Sequence, residues 1–306
     1  MDQNDATNAL RTSVAVDGHQ ASYLTVDRDG PPVLLLHGTY WSRVWLPVLD
    51  GLAAAGLRPI AVDLPGLGHS DGELDLETGT VPALADWVGR FATALGITGP
   101  VAVAGHDIGG AVAQRLLVHG PVAVSRLALV NSVTYDSWPV GSVARYRDPE
   151  AVFTAEELLG ARRQAVTTAL AGAATEALVG EYLEPWTREE VRRNWVRYVG
   201  AADCRFTMEL LPALLRSETP KLLVWGEDDQ FQGVAYAERF VSEVPRTTLV
   251  RVPGAGHIPM ENAPGRVAEA LAAFFTAWGC PVDQAGRCPV SAPARCVAGP
   301  PNAAPE

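Results

Sequence analysis

Hydrophobic residues fall into two alternating patterns along this chain. Short, mainly apolar runs at Val33–Leu36, Pro59–Val62, Val101–Ala104, Leu127–Val130, Leu222–Trp225 and, interrupted by Arg251, Thr248–Val252 read as continuous and not as strictly alternating, as expected of strands covered on both faces. Between them, apolar positions recur every three or four residues. Val81–Leu95 puts Val81, Leu84, Ala85, Val88, Phe91, Ala92 and Leu95 on one stripe, and Gly109–Val118 and Arg266–Trp278 read as helices in the same way. Two earlier segments, Ser13–Val16 and Ser22–Val26, alternate more and flank Asp17-Gly18, which predicts a hairpin at a sheet edge. Together these elements predict an α/β fold, a mostly parallel eight-stranded sheet flanked by helices.

The alternation breaks after Tyr135. Residues 136–215 are rich in Ala, Glu, Leu and Arg and offer no convincing strand, so they read as a helical cap inserted into a core formed by residues 1–135 and 216–279. Residues 280–306 turn to Pro, Ala, Gly and Cys without periodicity and read as a disordered tail.

Composition narrows the classes of function. With 306 residues, 48% of them hydrophobic, the chain can bury a large core unaided, so no metal or cofactor is called for. The formal net charge of −11 with no basic run argues against nucleic acid or an anionic membrane as partner. The polar, acidic start at Met1–Ala6 and the absence of a long apolar stretch place the protein, by expectation, in the cytoplasm. Cys204, Cys280, Cys288 and Cys296 form no CxxC pair, so neither a zinc site nor a disulfide scaffold is expected. Oligomeric state is left open.

The candidate chemistry centres on Gly105-His106-Asp107-Ile108-Gly109, between a predicted strand and a predicted helix. A nucleophile on so sharp a turn needs small residues two before and two after it, because strand and helix come too close for larger side chains. The helix N-terminus beyond adds N–H groups that favour negative charge. An aspartate that merely caps the helix is the plainer alternative on the pentapeptide alone.

Further motifs stand in order around it: His37-Gly38, then Asp63-Leu64-Pro65-Gly66-Leu67-Gly68-His69-Ser70, Trp225-Gly226-Glu227-Asp228-Asp229 and Gly254-Ala255-Gly256-His257. With these, residues 20–278 resemble the α/β-hydrolase superfamily, and within it the aspartate-nucleophile branch of epoxide hydrolases and haloalkane dehalogenases. The resemblance implies Asp107 as nucleophile, His257 as base and Asp229, with Asp228 as the adjacent alternative, as the acid that orients the base. It implies backbone N–H groups of Thr39 and Ile108 as oxyanion donors, although Thr39-Tyr40-Trp41 departs from the family pattern after His-Gly. In another branch the acid follows the preceding core strand, a place occupied here by Asn131, which carries no charge.

An ionised carboxylate can displace at saturated carbon, so the reaction implied is attack on an epoxide or an alkyl halide, an alkyl ester on Asp107, and its hydrolysis. The partners expected are a small hydrophobic organic substrate and water. An epoxide oxygen needs a hydroxyl proton donor, whereas a halide needs N–H groups. The residue after the nucleophile, often a halide-cradling tryptophan in the family, is Ile108 here, which weighs toward the epoxide. Tyr40, Trp41, Trp138, Tyr146, Tyr182, Trp186 and Tyr198 are the candidate substrate-binding residues, with Tyr135 and Trp195 beside them. Haloalkane dehalogenation is the alternative, and a binding protein that retains the fold without turnover is a third.

Overall fold

The computed structural model describes residues 7–148 and 151–277. The Pro/Ala/Cys segment at 280–306, with Cys280, Cys288 and Cys296, lies outside them. Eight strands form one sheet: β1 (Ala9–Val16), β2 (His19–Val26), β3 (Pro32–Leu36), β4 (Arg58–Val62), β5 (Val101–Asp107), β6 (Val124–Ser132), β7 (Lys221–Gly226) and β8 (Thr247–Val252). Their spatial order is β1-β2-β4-β3-β5-β6-β7-β8. The β1–β2 pair is an antiparallel hairpin whose last register pair is Val16 with His19. Its turn needs two residues at positive φ, supplied by Asp17 at 52° and Gly18 at 84°. β2 meets β4 antiparallel, and every later pairing is parallel.

Helices cover both faces, which is why the central strands are apolar throughout. Leu34 and Leu36 pack with Val103, Leu127 and Leu129 against α2 (Val81–Ala94) and α3 (Ile108–His119). Val33 and Leu35 point the other way, toward α1 (Leu46–Ala54) and the helix Pro264–Thr276. Burying each such side chain contributes roughly 1.5–3 kcal/mol. α1 and the helix Val234–Glu243 were not legible as stripes. α1 is short and its Val48, Leu49 and Leu52 look like any other apolar cluster until the sheet shows which side is inside.

Between β6 and β7 the described residues contain helices and turns but no strand. α4 (Ala155–Leu170), α5 (Glu176–Leu183) and α6 (Glu189–Gly200) are its main elements. Thr154 starts α4 with a reciprocal cap: its side chain accepts from Glu157 N–H while the Glu157 carboxylate takes the Thr154 N–H. Among the described residues no helix is long and apolar enough to cross a membrane.

The turn from β5 into α3 depends on close backbone approach. A Cβ on Gly109 would stand 2.4 Å from the Leu36 carbonyl oxygen and 2.5 Å from that of His37, and one on Gly105 would stand 2.4 Å from the Gly109 carbonyl oxygen. Neither backbone can yield without moving the sheet. Gly109→Ala should therefore lose about 2 kcal/mol or more in urea unfolding, whereas Gly99→Ala, with nothing within 4 Å of its Cβ, should stay within about 0.5 kcal/mol of the parent.

Candidate active site

Asp107 ends β5 at φ 53° and ψ −128°, a region that costs a non-glycine residue on the order of 1–3 kcal/mol. The strain lifts the carboxylate off the sheet edge toward the loop after β3. There Thr39 donates twice to Asp107 Oδ2, from its backbone N–H at 2.9 Å and from its hydroxyl at 2.9 Å. Oδ1 has neither contact. The approach requires Gly38, since a Cβ there would stand 2.5 Å from both Cβ and Oδ2 of Asp107. Ile108, the first residue of α3, lines the same cavity with an apolar side chain.

Two neutral histidines and one carboxylate hold these loops. His37 Nδ1 bonds the Gly38 carbonyl oxygen at 2.8 Å, and its Nε2 accepts from Leu64 N–H at 2.9 Å. Burial lowers its pKa, against the pull of Asp63, so it stays uncharged. His106 is buried, with its pKa depressed to about 3 chiefly by burial. Its Nε2 bonds the backbone carbonyl oxygen of His257 at 2.8 Å, which ties the loop after β8 to the turn that carries Asp107. Asp63 accepts from the N–H groups of Ser42 and His69 and from Arg11.

His257 and Asp229 complete the arrangement. His257 Nε2 stands 4.0 Å from Asp107 Oδ2, too far for a direct hydrogen bond. Its Nδ1 is 2.8 Å from Asp229 Oδ2. Asp229 also accepts from Phe231 N–H at 2.7 Å, Gln232 N–H at 3.0 Å and the Asn131 amide at 2.7 Å. Burial disfavours the Asp229 anion, but His257 and these donors outweigh it and its pKa is lowered. For His257, burial works against the charged ring, yet Asp229 and then Asp107 prevail and its pKa is raised. The neighbouring Asp228 is exposed. Asn131, with no charge of its own, fixes Asp229 from β6 while its Oδ1 accepts from Gly226 N–H at 2.8 Å.

These groups open on a mostly apolar cavity of about 170 Å³, close to the size that holds one benzene ring in other proteins. Among the described residues no three or more His, Cys, Asp or Glu side chains gather as metal ligands.

The profile of the alpha/beta hydrolase family matches residues 33–270. The chain belongs to that family. It is 29% identical over 251 residues to the pimeloyl-[acyl-carrier protein] methyl ester esterase of Nitrosomonas europaea, covering 77% of this chain and 92% of that one. Among solved structures it resembles the haloalkane dehalogenase DbeA of Bradyrhizobium elkani, with a TM-score of 0.74, 22% identity, and 87% of this chain and 97% of that one covered. It also resembles the epoxide hydrolase CorEH, with a TM-score of 0.72, 21% identity, and 87% and 98% covered. At these identities the two solved structures share the fold with this chain, and a fold does not fix a reaction.

Of the nine aromatic residues named from the sequence, the structure brings Tyr40, Trp138, Tyr146 and Trp195 to the cavity wall, while Trp41, Tyr135, Tyr182, Trp186 and Tyr198 do not line it. Tyr182 is turned away by its hydroxyl, which donates to Glu261 at 2.8 Å, and its ring meets Tyr40 edge-on. Trp41 donates its N–H to the Tyr182 carbonyl oxygen at 3.2 Å. Trp186 packs T-shaped on Trp195, and Tyr198 is buried in the core with its hydroxyl unpartnered among the described residues. The indole N–H groups that do border the cavity are engaged, Trp138 with the Thr207 hydroxyl at 2.9 Å and Trp195 with the Thr39 carbonyl oxygen at 3.0 Å.

Sequence reasoning missed Arg162. It occupies α4 among the buried Leu158, Val166, Ala169 and Leu170, donates Nη2 to the Thr39 carbonyl oxygen at 2.5 Å and lines the cavity. The available signal was a cation in the middle of an apolar helical stripe. Gln232 and Phe231 at the cavity wall had no signal beyond their nearness to Asp229.

If Asp229 raises the His257 pKa as the contacts indicate, Asp229→Asn should lower it toward or below the ordinary histidine value of about 6.5. The ring C–H resonances of His257, followed by NMR from pH 5 to 9, should then titrate at lower pH in the variant than in the parent.

Proposed function

We propose that this hydrolase forms a covalent alkyl ester on Asp107 and releases it with water, and that its substrate is an epoxide opened to a diol. The observation that carries this reading is a carboxylate, rather than a hydroxyl or thiol, on the strained turn, with His257 Nε2 4.0 Å away and backed by Asp229. Attack of a carboxylate on an acyl carbon would give an anhydride and only exchange one acyl group for another. At a saturated carbon it gives a stable ester, which water can cleave at Cγ of Asp107. An ester-cleaving role like that named for the Nitrosomonas relative is therefore not preferred.

In the first step Asp107 Oδ1 bonds to an oxirane carbon, the ring C–O bond breaks, and the ring oxygen takes a proton. Tyr146 is the donor we assign. It lines the cavity, and Arg145 Nη2 donates to its oxygen at 2.6 Å, which directs the phenolic hydrogen elsewhere. In the second step His257 Nε2 takes a proton from water, whose oxygen attacks Cγ of Asp107. Charge then develops on Oδ2, where Thr39 N–H and hydroxyl already point. The tetrahedral centre collapses, the diol oxygen leaves with the proton from His257, Asp107 retains an oxygen from water, and the second proton of that water returns to the Tyr146 phenolate. Residues 136–215 act in this scheme as a cap over the reacting groups. Engaged indole N–H groups and the apolar Ile108 leave little to cradle a halide, so the haloalkane reading is second.

His257→Gln incubated with styrene oxide should trap the alkyl ester, read by mass spectrometry as an added mass on the peptide containing Asp107. No adduct there, across epoxides and bromoalkanes alike, would sink the covalent reading and favour a binding role. Because His257 must be neutral to act as base in the hydrolytic step, kcat should rise with pH through a limb above about 6.5. Tyr146→Phe should slow adduct formation by about 10²-fold or more while an ester already formed hydrolyses at the parent rate.

A further inference from the structure

Arg162 is an expensive residue for the place it holds. It is 4% exposed, and among the described residues no carboxylate lies within ion-pairing distance of its guanidinium. Nη2 is committed to the Thr39 carbonyl oxygen, while Nε has no partner. Three aromatic rings surround it, Tyr40 at 4.3 Å, Trp186 at 5.1 Å and Trp195 at 5.5 Å. Their π-faces stabilise the cation and the Tyr40 hydroxyl also interacts with it, but none of these groups is an anion and Nε stays unmatched. A structural arginine in such a stripe is normally paired with an acid.

The carboxylate that acts on it at longer range is that of Asp107, and this attraction cannot last through the reaction. Once Asp107 is alkylated it is neutral, and Arg162 is left as a buried cation with no anion. A group that keeps its charge through both steps would restore the balance. The cavity wall fits this need: apart from Asp107 its charged residues are Arg162, Arg145 and the base His257, with no second acid, although the whole chain carries −11.

We propose that the cavity binds a substrate bearing a carboxylate, held by the guanidinium of Arg162, with its electrophilic carbon presented to Asp107. The proposal rests on the alkyl-ester reading above for the identity of the reacting carbon. Carboxylate is the anion of choice because its two oxygens match the planar donor fork of a guanidinium. It passes unchanged through opening and hydrolysis, so product leaves with the charge that substrate brought.

The test compares two ligands of the same shape and different charge, phenylacetate and phenylacetamide, by calorimetry on the full chain at pH 8. The parent should bind the carboxylate about 10- to 100-fold more tightly than the amide, as charged hydrogen bonds allow. Arg162→Met should collapse that ratio to near one, and Arg162→Lys should keep part of it. Equal affinities in the parent, or a ratio that survives in Arg162→Met, would overturn the proposal. The parent comparison stands alone should Arg162→Met not fold. A parallel arm treats His257→Gln with glycidate and glycidamide and reads the Asp107 adduct by mass spectrometry. Faster labelling by glycidate supports the proposal. Equal labelling by both overturns it and leaves the alkyl-ester reading standing. No labelling by either, with the binding ratio intact, overturns the ester reading and keeps the carboxylate site.

Discussion

The close approach of two loops at Asp107 is the constraint on which the rest of this site depends. A carboxylate held at positive φ can reach Thr39 only because Gly38 lacks a Cβ, and the turn that holds it fits under β3 only because Gly109 lacks one. Strain of this kind persists where surrounding contacts over-determine it. Here they come from the parallel β3–β5 pairing, from His37 and from the His106 bond to the His257 backbone. The same His106 bond links the β8 loop to the elbow, so the backbones that carry the imidazole and the carboxylate are set by one network.

The helical segment between β6 and β7 contributes to that network as well. Arg162 from α4 and Trp195 from α6 both donate to the Thr39 carbonyl oxygen, while the N–H and hydroxyl of the same residue point at Asp107. Thr39 is thus gripped from one side by the insertion and engaged with the carboxylate on the other. Electrostatics follow the same geometry. Asp229, with three N–H donors, can stay ionised and support a charged His257, whereas the two buried histidines that merely hold loops are kept neutral by desolvation.

Much of this was legible in the chain itself. Apolar runs without alternation marked the strands of a two-sided sheet, Asp17-Gly18 marked the hairpin, and the glycines at 105 and 109 marked a crowded turn, because each of these is a local steric requirement written in neighbouring residues. That His257 bonds Asp229 and not the exposed Asp228 was reachable only by counting from Gly226 along the pattern of the family it resembles.

What the sequence could not decide was which side chains face a common space. Tyr146 and Tyr182 are equally plausible phenols by composition, yet one borders the cavity and the other is drawn off by Glu261. Trp138 and Trp195 carry suitable N–H groups, but Thr207 and the Thr39 carbonyl oxygen, distant along the chain, already accept them. Arg162 shows the limit most plainly. Its neighbours in α4 announce a buried stripe, but whether that stripe abuts more core or the cavity beside Asp107 depends on how the insertion packs against the sheet, and that is a long-range contact no local period encodes. Local sterics determined the elements and the turn that carries Asp107; only the tertiary structure decided the charge and the donors that surround it.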